Sequence, residues 1–167
     1  MLASSSKMSL DECRVLCKRV KYVASVAEWA ERPNHSGALR ATSDLLDENR
    51  VAISGLYFQG EYQSRRWGTY CSFALMINRG GTIRRVFMVE VYPTHVRSHL
   101  APDGSAIFGP HIAIGDEREI SQISRAVRGI ADVRNVESWL ARFRRHARVY
   151  DDGRHSIGVP FAGELFQ

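Results

Sequence analysis

Cysteine is scarce in this chain, with three thiols, Cys13, Cys17 and Cys71, among 167 residues. An odd number without regular spacing excludes the disulfide framework of a small secreted domain. Cys13 and Cys17 stand four apart on an expected helix, where a metal with further ligands elsewhere can use them. Free cysteine more often packs as a small buried hydrophobe, and that reading is adopted. Long hydrophobic runs are missing too. No stretch approaches the roughly 20 apolar residues of a membrane span, and the serine-rich N-terminus lacks the apolar segment of a signal peptide. A soluble, cytoplasmic protein with no membrane partner is expected. The chain also has no Walker, Gly-x-Gly-x-x-Gly or Gly-x-Ser-x-Gly signature. It has no RNP, KH, helix-turn-helix or zinc-finger pattern.

The chain is long enough for a core that needs neither disulfide nor metal. Its net charge of +5 and pI near 9.4 come from an excess of arginine, which favours an anionic partner, either nucleic acid or an acidic protein surface. One domain is expected over 9–150, with a disordered tail at 1–8 and a C-terminal tail at 151–167.

Ser9-Leu10-Asp11-Glu12 is a capping box. Apolar residues at Cys13, Leu16, Cys17, Val20, Val23 and Ala27 recur at helical spacing, which predicts a helix from Leu10 to Ala30. Residues 34–50 are polar and predict a loop, with one helical turn around Leu45 and Leu46. Val51 to Phe58 is rich in β-branched and aromatic residues and predicts a strand. The clearest hairpin joins Thr69–Asn78 to Thr82–Tyr92 through Gly80-Gly81, which supply positive φ. Alternation there sets Val86, Met88 and Glu90 on one face and Phe87, Val89 and Val91 on the other. Ala106 to Ile114 predicts one further strand. Asp116 to Gly129 is ambiguous, with Ile120, Ile123 and Val127 at helical spacing. Asn135 can cap a last helix, whose apolar stripe is Val136, Leu140, Phe143 and Ala147. The expected class is α+β: an antiparallel sheet of four to five strands, with an N-terminal and a C-terminal helix packed on it.

Chemistry-bearing residues gather in one place. His95, His99 and His111 lie in or just after the loop 93–104, beside Tyr92, Arg97 and Asp103. Imidazole exchanges protons near neutral pH, and guanidinium stabilises charge growing on a phosphate. Together they suit a metal-independent endoribonuclease, with His95 or His99 as base, His111 or Tyr92 serving the leaving group, and Arg84, Arg85 or Arg97 on the phosphate. The same residues are also accounted for by a solvated loop and a His111 hydrogen-bonded within the sheet. A metal held by His95 and His99, completed by Asp103 or His111, finds no His-Glu-x-x-His or Cys-x-x-Cys pattern. No metal or other cofactor is therefore expected. A second set is basic and aromatic: Arg65, Arg66, Trp67, Arg84 and Arg85 on or near strands, with Arg97 in the loop and Arg142 and Arg145 on the last helix. Arginine beside an aromatic ring suits a base stacked next to a held phosphate.

The order of Tyr62-Gln63-Ser64-Arg65, His99-Leu100-Ala101-Pro102-Asp103-Gly104 and Pro110-His111-Ile112 resembles that in a family of small uncharacterised bacterial proteins from mobile genomic islands, over residues 9–115. In that family the last element reads His-x-His, whereas Ala113 occupies the second position here. The resemblance implies a setting of defence, counter-defence or toxin–antitoxin biology. The expected function is a non-enzymatic binding protein of such a conflict system, acting through its basic surface. The endoribonuclease toxin is the alternative.

Overall fold

The computed structural model describes residues 8–116, 119–122 and 135–160. Helix α1 (Leu10–Lys18) is followed by β1 (Lys21–Val23), β2 (Ala30–Arg32), β3 (His35–Leu46), β4 (Ala52–Arg65), β5 (Gly68–Arg79) and β6 (Thr82–Val91). Then come β7 (Arg97–Leu100), β8 (Ala106–Phe108), β9 (His111–Ile114), β10 (Glu119–Gln122), helix α2 (Val136–Ala147) and β11 (Val149–Tyr150). Nine of these strands form one sheet in the order β10-β9-β6-β5-β4-β3-β1-β11, with β2 added to β3, while β7 and β8 pair separately. All pairings are antiparallel except that of β1 with β11. The sheet curls into a half-barrel.

The expected sheet of four to five strands is therefore too small, and three stretches of the chain depart from the sequence reading. The first is the predicted helix from Leu10 to Ala30, which stops at Lys18. Val20, Tyr22 and Val23 are β-branched or aromatic and leave the helix for a strand. Lys21 fixes the break: its buried ammonium donates to the carbonyls of Leu16, Cys17 and Arg19, satisfying the orphan acceptors of the helix end. The second is the predicted loop at 34–50, which is mostly strand β3. Its inward positions are Ala41, Ser43 and Leu45, and the small Ala and Ser hide the alternation. The third is the single strand expected over Ala106–Ile114. It is two strands broken at Gly109-Pro110, where Gly109 has φ +66° and a Cβ would meet the Thr94 backbone at 3.1 Å.

The capping box is present, with Ser9 N donating to Glu12 Oε2 at 2.8 Å and Glu12 N to Ser9 Oγ at 3.2 Å. The β5–β6 hairpin turns at Gly80 and Gly81, both at positive φ. Of the ambiguous stretch, 119–122 is strand β10, while Ile123 and Val127 lie outside the described residues. So do residues 1–7 and 161–167 of the two expected tails; Met8 packs into the core and Ile157 bridges to Ala27.

The core lies between the inner face of the sheet and the two helices. Phe143 of α2 sits at the centre, its ring 5.5 Å from Phe58, 6.3 Å from Phe73 and 6.0 Å from Phe87. Trp139, Leu140 and Ala147 extend the buried stripe of α2, and Phe87, Val89 and Val91 meet it from β6. Alternate residues of the same strands face the other side of the sheet, where the polar residues gather.

Candidate functional site

The candidate site is on the outer face of β5, β6 and β9. Glu90 of β6 and His111 of β9 are direct cross-strand partners, so their side chains emerge side by side. The Gly109-Pro110 break ends β8 just before His111. It lets β7 and β8 form a separate hairpin that covers this part of the sheet and brings His99 to His111, with ring centroids 5.0 Å apart. A ligand atom from each of Glu90, His99 and His111 lies within 4.8 Å of the others. A cavity of about 230 Å³ opens beside them, lined by Arg85, Met88, Glu90, His99, His111 and Ala113 among others.

A β-bulge shapes this cavity. Leu75 pairs with Phe87 and Met76 with Arg85, leaving Val86 as the extra residue. The bulge turns Val86 into the core, correcting its expected place beside Met88 and Glu90. It also sends Arg85 to the outer face, into the cavity lining. Arg85 is held there by its Nε, which donates to the Gly115 carbonyl at 3.0 Å, and by its backbone N–H on Asp116 at 3.1 Å.

His111 is fully buried. Its Nδ1 lies 3.1 Å from the Gly109 carbonyl, which can only accept, so Nδ1 carries the proton. Its Nε2 is 2.8 Å from Glu90 Oε2, yet no acceptor or donor is aligned for a hydrogen bond with it. Glu90 Oε1 accepts from the Tyr70 hydroxyl at 2.9 Å. Burial by itself raises the Glu90 carboxyl, but the neighbouring His111 imidazole and the Tyr70 hydroxyl outweigh it, and the net shift is downward. Burial, reinforced by the Glu90 charge, pushes the Tyr70 hydroxyl far up, so it remains a donor. Tyr92 is raised for the same two reasons. His99 Nδ1 is 2.7 Å from Ser98 Oγ.

An aromatic track runs from this cluster along the same face. Tyr92 stacks on His111 at 6.4 Å, Trp67 stacks on Tyr92 at 5.5 Å, and Tyr70 meets Tyr92 at 4.8 Å. The Arg65 guanidinium lies 5.3 Å from the Trp67 ring centroid and 5.8 Å from that of Tyr70. Arg66 and Trp67 form the two-residue turn of the β4–β5 hairpin.

Of the residues singled out from sequence, His99, His111, Tyr92, Arg85, Arg65 and Trp67 therefore come together. His95 does not line the cavity and lies exposed in the turn after β6, ahead of the hairpin. Asp103 folds onto its own turn, accepting from Ser105 N and Oγ. Arg97 is exposed on β7, and Arg84 pairs with Asp116 at 3.6 Å. Arg142 and Arg145 belong to α2, across the sheet from the cluster, with Arg142 lying over Trp139. The basic residues thus form no single surface. Sequence reading missed Glu90 and Tyr70 as site residues. The available signal was a lone carboxylate in the otherwise apolar run Val86–Val91, and a tyrosine two positions along β5 from Ser72, the residue that pairs with it.

No helix among the described residues is long and apolar enough to cross a membrane. Comparison of the chain with protein-family models, curated proteins and solved structures returns no match.

Proposed function

We propose that the protein is an endoribonuclease acting on single-stranded RNA, with Glu90, His99 and His111 as its reactive centre. The observation that carries this reading is the fold-back of the β7–β8 hairpin, which sets His99 against His111 beside a cavity that also receives Arg85. A buried imidazole beside a carboxylate is costly to hold, which favours a chemical role for the pair over adhesion alone. The non-enzymatic binding reading is supported by the Arg65–Trp67–Tyr70–Tyr92 track, which offers stacking for unpaired bases. The track leads to the reactive cluster, so binding becomes the first half of the reaction.

In the proposed chemistry a ribose 2′-oxygen attacks the adjacent phosphorus and the bond from phosphorus to the 5′-oxygen breaks. The 2′-hydroxyl proton passes to the cluster, and a proton is delivered to the departing 5′-oxygen. The products are a 2′,3′-cyclic phosphate and a 5′-hydroxyl end. Arg85 stabilises the charge on the non-bridging oxygens. Labelled single-stranded RNA and DNA of matched sequence test this. RNA cleavage that falls at least 100-fold in His99→Ala supports the proposal, as does growth arrest on expression in a bacterium that the same change relieves. Cleavage undiminished in His99→Ala, cleavage of DNA and RNA alike, or no cleavage by the wild-type chain contradicts it.

A further inference from the structure

The unresolved feature of the cluster is the contact between His111 Nε2 and Glu90 Oε2. Nδ1 is committed as a donor to Gly109, so in a neutral ring Nε2 carries a lone pair. That lone pair and a carboxylate oxygen are 2.8 Å apart inside the protein. A positive charge must hold these two atoms together, either a proton on Nε2 or a metal cation that both can reach. The Nε2–Oε2 approach is short but poorly aligned for a hydrogen bond, a geometry that suits two ligands of one ion better than a donor and its acceptor. His99 brings a third donor atom to the same point.

The geometry points to a divalent transition-metal site formed by Glu90, His99 and His111, with its remaining coordination positions open to the cavity beside Arg85. This rests on the reading of the cluster as the reactive centre and names what makes it reactive. Two imidazoles and one carboxylate form the ligand set of open zinc and iron(II) sites. Neighbouring ligands on an octahedral ion with bonds near 2.1 Å stand about 3.0 Å apart, close to the Nε2–Oε2 separation. The outer partners are those such a site needs: the Gly109 carbonyl fixes the ring of His111, and Tyr70 holds the other oxygen of Glu90. Two ligands are fixed on adjacent strands of the main sheet. His99 is on the separate hairpin, and its donor atom lies within 4.8 Å of the other two, so an inward shift of that hairpin brings all three to one ion. His95, His99, Asp103 and His111, the ligands weighed from sequence, show no metal pattern among them, and Glu90 was not in that set.

Isothermal titration of zinc into untagged, chelator-stripped protein tests the site. One zinc per chain with a micromolar or lower dissociation constant is expected, weakened at least about 100-fold by Glu90→Gln and by His99→Ala. His99 is half-buried on the hairpin, so its variant keeps the fold, which far-ultraviolet circular dichroism checks. His155→Ala, which alters the surface His155–Asp152 pair, must leave the high-affinity isotherm unchanged. Absence of zinc binding, or binding equally strong in both ligand variants, overturns the inference. RNA cleavage that survives complete metal removal overturns it while leaving the endoribonuclease reading intact. Stoichiometric zinc binding lost in both variants, without RNA cleavage, sustains the site and removes that reading instead.

Discussion

The two faces of β5 and β6 are built from alternate residues of the same strands, yet they behave as different materials. The inner face sets Phe73 and Phe87 against Phe143 and Phe58, purely apolar rings that stack or tilt at 5.5–6.4 Å. The outer face sets Tyr70 and Glu90 against Tyr92, His99 and His111, and every contact there involves a proton donor, an acceptor or a charge. The inner face carries stability through packing. The outer face uses that rigidity to hold ionisable groups close together. The period of two in a strand lets one hairpin do both, and the Val86 bulge adds Arg85 to the outer set by breaking that period once.

This division is sharpened by changes that touch one face only. Phe143→Ala empties the centre of the inner face and is expected to lower stability by about 3–5 kcal/mol in urea unfolding; a loss under 1 kcal/mol would mean that the packing around α2 is looser than described. Lys21→Met leaves the carbonyls at the end of α1 unsatisfied, costing roughly 1–3 kcal/mol at neutral pH, offset in part by release of a buried charge.

The same pair of proteins gives a pH test far from the outer face. Burial lowers the Lys21 ammonium to about 8 from its ordinary 10.5. Between these values the unfolded chain binds the extra proton, so this residue's contribution to stability rises as pH increases from 8 to 10.5. Cys17, pushed up to about 11 mainly by burial, acts in the opposite sense above pH 9. The quantity to follow is therefore the wild-type minus Lys21→Met difference, which should grow with pH; a flat difference refutes the buried-ammonium account.

Trp67→Ala removes a stacking platform from the outer face. It is expected to weaken single-stranded RNA binding by about 1–3 kcal/mol while moving the unfolding midpoint little. Equal losses of binding and stability would make Trp67 a structural residue instead. Ser9→Ala, at the capping box of α1, is the mildest change, about 1 kcal/mol in stability with RNA binding untouched.

The parts legible in the sequence were those written in strong local patterns. Ser9 and Glu12 announce a cap, Gly80-Gly81 a tight hairpin, and Val136, Leu140, Phe143 and Ala147 a buried helical stripe. Strand β3 was not legible, because Ala41 and Ser43 are buried by their neighbours and not by their own hydrophobicity. Strand β1 was masked because Val20 and Val23 fit the helical spacing of Cys13 and Leu16 as well as they fit a strand. At the site, His99 and His111 were visible as residue types but their meeting was not. It depends on a two-residue break at Gly109-Pro110 and on register between β6 and β9, which is tertiary information. Glu90 became visible only through that register.

The most direct test of the central claim, that chemistry resides on the outer face independently of the fold, is one paired measurement on His99→Ala. Single-stranded RNA cleavage and thermal unfolding are recorded on the same wild-type and variant preparations. The account predicts a loss of cleavage of at least 100-fold with Tm within about 3 °C of wild type, a stability change of about 1 kcal/mol or less. Cleavage that persists, or cleavage that disappears only together with a large fall in Tm, contradicts it.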